Sequence, residues 1–308
     1  MKRLITNIIT PALCCIALQY CTPVNNNSGE GQTNVNSPTS NTTEMLDPNH
    51  GALVKFNDRL FSVPSPIQLA KVIQEIRLPY NKDLLNDVNK YQNYTTSFKQ
   101  ALNVGIYGAN LGYINVFEQL PDAAAYFGAI RALSKDLGIM NSFNEETMKR
   151  IERNNGNKDS LLYIASIMYR ESDQYLLNAE RNETGALIIA GGWVEGLYLL
   201  THIQPPNEVK PEIKDLIGQQ KSSLNNLIEI LRPHYGKVSN DYDSFLEKLS
   251  EIAAIFDDVT VKYTYISAKT DEQTKTTIVD CKTETVIDAQ HIETISRKIE
   301  KLRNEITE

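Results

Sequence analysis

The sequence predicts a mainly α protein: an irregular multi-helix bundle, with a short extended or β-hairpin-like segment near residues 261–286 before a C-terminal helix. Three observations predict it. From Pro66 onward, apolar residues recur at three- and four-residue spacing in one segment after another. The breaks between these segments are short and carry Pro or Gly. One stretch departs from the pattern, being rich in Thr, Val, Ile and Tyr.

The first helix opens at Ser65-Pro66, takes Ile67, Leu69, Ala70, Val72, Ile73 and Ile76 as its apolar set, and ends before Pro79. A second covers roughly Tyr94 to Phe117. The third opens at Pro121, a residue suited to a first helical turn, stacks Tyr126, Phe127, Ile130, Leu133 and Leu137, and stops at Gly138. Ser142 with Glu145 then resembles a capping box for a short helix ending near Gly156. Two long apolar helices follow, about Lys158 to Arg181 and Thr184 to Ile203, the second closed by Pro205-Pro206. Ile213, Leu216, Leu224, Leu227 and Leu231 mark the next, ended by Pro233, and Tyr242 to Val259 carries a matching set; this pair reads as a helical hairpin. The alternation in Val261-Lys262-Tyr263-Thr264-Tyr265 suits a strand or an extended arm. Ile292, Ile295, Ile299 and Leu302 form the stripe of the last helix.

The N-terminus has a different composition. Lys2 and Arg3 precede an uncharged, largely apolar run from Leu4 to Leu18, too short for a membrane span of about 20 residues. It reads as a signal peptide over residues 1–20. Cys14, Cys15 and Cys21 lie in or at the end of this segment, and Cys281 is the only other cysteine, so a disulfide framework in the body is excluded. Cys21, with Leu18 three positions before it, is the expected lipid-attachment residue. Tyr20 departs from the Gly, Ala or Ser usual at the position before such a cysteine, and simple secretion is the alternative. Residues 21–50 then form a disordered tether: from Thr22 to Thr43 the chain is mostly Asn, Ser, Thr, Gly and Pro with Glu30 its single charge. Such a composition cannot bury enough apolar surface to offset its ordering entropy. Residues 51–308 are the single helical domain.

Two helices carry glycine at helical spacing. In ALNVGIYGANLGYINVF, Ala101, Gly105, Gly108 and Gly112 share one face. In GALIIAGGWVEGLYLLTHI, so do Gly185, Gly192 and Gly196. Each interior Gly costs about 0.8–1.0 kcal/mol relative to Ala, so close backbone approach between these two helices is expected. The second helix is long enough to span a membrane, and small-residue stripes occur there too, but Glu195 near its middle favours a buried core helix.

Glu195 has the most chemical promise, because a carboxylate in an apolar helix must find a donor or become protonated. One reading is a pocket or polar cluster of Glu195, Trp193, Tyr198, Tyr107, Asn110 and Arg181. The other is a closed Glu–Arg or Glu–Tyr pair that fixes helix register. The four histidines (His50, His202, His234, His291) share no metal-ligand spacing, and there is no HExxH, paired CxxC, GxSxG or phosphate loop. No catalytic residue, metal or cofactor is therefore expected. Formal charge is -7, and losing Lys2 and Arg3 with the signal makes it -9, which argues against nucleic acid as a partner.

The segments FSVPSP (Phe61–Pro66), YTTSFKQALNVGIYGANLGY (Tyr94–Tyr113), RNNGNKDSLL (Arg153–Leu162) and ERNETGALIIAGGWVEGLYL (Glu180–Leu199) resemble a family of functionally uncharacterised helical lipoproteins of Bacteroidetes-type cell envelopes. The resemblance covers most of residues 56 to 306. It implies export and a helical body, and brings no activity with it. Expectation therefore centres on a membrane-anchored lipoprotein of the cell envelope, on its periplasmic face or outer membrane, whose body is an interaction or scaffolding domain for another envelope protein. The alternative is a small-molecule binding protein or enzyme with a pocket near Glu195. A weaker third is cation binding by the acidic helices.

Overall fold

The computed structural model describes residues 52–56, 59–63, 66–139, 181–271 and 276–308. It is a multi-helix bundle with two separate antiparallel hairpins. The first pairs β1 (Ala52–Phe56) with β2 (Arg59–Val63). Helices α1 (Pro66–Glu75), α2 (Ser97–Val116) and α3 (Leu120–Asp136) follow, then α4 (Asn182–His202), α5 (Pro211–Leu231) and α6 (Asn240–Phe256). The second hairpin pairs β3 (Thr260–Asp271) with β4 (Thr276–Val286), and α7 (Ala289–Thr307) closes the chain. The short helix expected at 142–156 and the long one at 158–181 lie outside the described residues.

Local chemistry sets the helix ends. The side chains of Thr96, Ser239 and Asp288 accept from the backbone N–H groups of Lys99, Tyr242 and His291, capping α2, α6 and α7. Proline sits in the first turn of α3 and α5, where its missing N–H has no intrahelical partner to lose. Gly138, at φ 73°, ends α3 in the left-handed region. Two other ends take the same conformation without glycine: Arg77 after α1 and Glu118 after α2. Helix α1 thus stops ahead of Pro79.

The β1–β2 hairpin has no counterpart in the expected element order, which begins at Pro66. Its signal was present as two short alternating runs, ALVKF and RLFSV, around the dipeptide Asn57-Asp58.

Helices α2 and α4 form the centre. Helices α1 and α3 pack on α2, and α5 and α7 pack on α4, with α6 joining α5 to α7. By length and composition α4 could cross a membrane, but 83% of its most apolar window is buried inside the protein. The closest approach of α2 to α4 is backbone on backbone. A Cβ on Gly105 would run into the Ile188 carbonyl oxygen and lie 2.6 Å from the Gly192 amide nitrogen, and one on Gly191 would run into the Leu102 carbonyl. The expected stripes are corrected in detail. Gly108 is exposed with open space beside it, so it takes no part in the contact. Gly112 is buried and Gly185 half-buried. Gly196 turns away, where a Cβ would sit 2.9 Å from Leu69 Cδ1 of α1. Gly191, adjacent to the expected Gly192, carries the contact instead.

Helix α5 is the platform for both hairpins, packing on β2 and on the root of β3–β4. Lys221 Nζ donates to the carbonyls of Asp257 (3.1 Å) and Val259 (3.0 Å), fixing the entry to β3. The Thr285 N–H of β4 donates to Asp215 Oδ1 at 2.7 Å, and Thr285 covers Gly218 so closely that no Cβ fits.

The two α2 glycines should respond in opposite directions in urea denaturation. Gly105→Ala should destabilise by about 1–3 kcal/mol or more through overpacking against backbone that cannot yield. Gly108→Ala, on the open face of the same helix, should stabilise by roughly 0.5–1 kcal/mol through helix propensity alone.

Candidate functional site: a closed carboxylate cluster

Glu195 has 0% exposure. It is paired: Arg303 of α7 donates from Nε to Oε2 at 2.6 Å and from a terminal nitrogen to Oε1 at 3.0 Å. Asn110 of α2 donates to Oε1 at 2.5 Å. Both carboxylate oxygens are therefore engaged by charge-assisted or amide donors in a forked arrangement. Burial opposes the charge on Arg303, and the adjacent carboxylate outweighs it, so the guanidinium pKa is raised above its ordinary value. The same guanidinium donates to the Leu84 carbonyl at 3.1 Å and lies 4.1 Å from the centre of the Tyr198 ring.

Asn110 carries the cluster onward. Its Oδ1 accepts from the Asn86 N–H at 3.1 Å. The Asn86 side chain donates to Tyr94 Oη (3.1 Å), and its carbonyl accepts from the Tyr126 hydroxyl (2.8 Å). Asn103 donates to the Ile306 carbonyl at 3.1 Å, and the Tyr94 hydroxyl to the Thr307 carbonyl at 3.3 Å. The last turn of α7 is thus bound by side chains from α2 and the loop before it. Tyr107 donates to the Asp87 carbonyl at 2.9 Å, and burial pushes its hydroxyl far above the usual phenol range.

Of the six candidate residues, the structure gathers Glu195, Asn110 and Tyr198 around Arg303, with Tyr107 one residue away through the Asn86-Asp87 loop. Trp193 is buried, two residues from Glu195 and so on the other side of α4. Its indole N–H has no partner among the described residues. Arg181 is a correction. It sits before the first turn of α4, 14 positions and nearly four turns from Glu195, and donates instead to the Leu137 carbonyl at 2.8 Å. Sequence reasoning missed Arg303 and Asn86. Arg303 was legible in part, lying four residues after Ile299 and beside Leu302, so on the apolar side of an amphipathic helix.

Beyond the cluster, His202 stacks on Tyr198 at 4.0 Å. Its Nδ1 faces the Tyr198 carbonyl at 2.9 Å, and its Nε2 lies 3.3 Å from Ser296 Oγ and 3.9 Å from Glu300. Burial holds its pKa below the ordinary 6.5, against the Tyr198 carbonyl and Glu300, which favour the charge. Among the described residues no three His, Cys, Asp or Glu side chains converge as a metal site. An open depression between α5 and α6, lined by Ile228, Arg232, Tyr235, Leu246, Glu247, Ser250 and Glu251, shares no residue with the cluster.

Chemically, the cluster is a lock. Its carboxylate accepts two hydrogen bonds at Oε1 and one at Oε2, all from residues of other helices. What it does is fix α4, α2, α7 and the Leu84–Asn86 turn in one register, the best-attested use of a buried ion pair.

Removing one partner should expose that role. Arg303→Met leaves an uncompensated buried charge and should cost about 3–5 kcal/mol, while Glu195→Gln together with Arg303→Met should recover at least half of that in urea denaturation. The pH dependence follows from His202. Its folded-state pKa is lowered, so the unfolded chain binds more protons near pH 6; stability is fully present above 6.5 and falls as pH drops through that value. The urea midpoint should decline between pH 7.5 and 5.5, and His202→Gln should flatten that slope. No family model matches this chain, and no curated protein or solved structure does either.

Proposed function

We propose that this chain is an exported, lipid-anchored protein of the cell envelope whose helical body serves as an interaction or scaffolding module for another envelope protein. The observation that carries the reading is the order of parts. A basic start and an apolar run lead to Cys21 and a nearly uncharged polar tether, which opens into the body. Among the described residues, the buried Glu195–Arg303 pair holds helices together, which suits a module that presents a rigid body to a partner.

The anchor is tested by mass spectrometry of the native N-terminus and by fractionation. The mature chain should begin at Cys21 and carry acyl chains, and Cys21→Ser should move the protein from the membrane fraction to the soluble one. A Cys21→Ser protein that stays with membranes defeats the assignment.

A further inference from the structure

We draw no further inference here: the strongest candidate, the open depression between α5 and α6 where Ile228 and Leu246 lie beside Arg232, Tyr235 and Glu247, carries none because nothing in the structure shows what covers it.

Discussion

The rest of the bundle depends on how closely α2 and α4 approach. At Gly105 and Gly191 each helix presents bare backbone to the carbonyl of the other, a separation that no residue with a side chain allows. That approach makes room around the pair rather than between it. Around it, α1 and α3 pack on α2, and α5 and α7 pack on α4. The energetic cost of interior glycine is local and modest, whereas the packing it permits extends over two long, almost wholly buried helix faces.

The Glu195–Arg303 pair adds specificity to this close packing. Dispersion and burial reward many registers of two smooth helices, since Ala, Gly, Leu and Ile offer little to distinguish one from another. A buried charge changes that, because every register but one leaves it without partners. Arg303 satisfies Glu195, Asn110 ties it to α2, and Asn86 and Tyr94 extend the same demand to the loop and to the last turn of α7. Surface ion pairs such as Lys298–Glu251 and Lys82–Asp122 lie over this arrangement and contribute little by comparison.

Much of this was readable in the chain. Among the described residues, helix positions follow from periodicity, and the β3–β4 ribbon from the alternation at Val261–Tyr265, because both signals are local. Glu195 stood out for the same reason, as a lone acid in an apolar run. Its partner did not, since Arg303 is one of many basic residues and pairing across 108 positions is decided by tertiary packing. The glycine stripes named the two helices that meet but not the contacting atoms. Spacing places Gly108 on a helical face without saying whether anything lies opposite, and it ranked Gly191 below its neighbour Gly192. The five-residue strands of the β1–β2 hairpin give too short an alternation to separate from a polar linker.

The distance along the chain between Glu195 and Arg303 also orders events in time. Whether the polypeptide leaves a ribosome or a translocation channel, the carboxylate emerges first and waits 108 residues for its counter-charge. During that interval α2 can offer Glu195 the Asn110 amide but not the guanidinium that engages both of its oxygens. The last turn of α7 likewise supplies the carbonyls that Asn103 and Tyr94 need. The polar cluster at the centre of the bundle is therefore complete only once α7, the last helix of the chain, is in place.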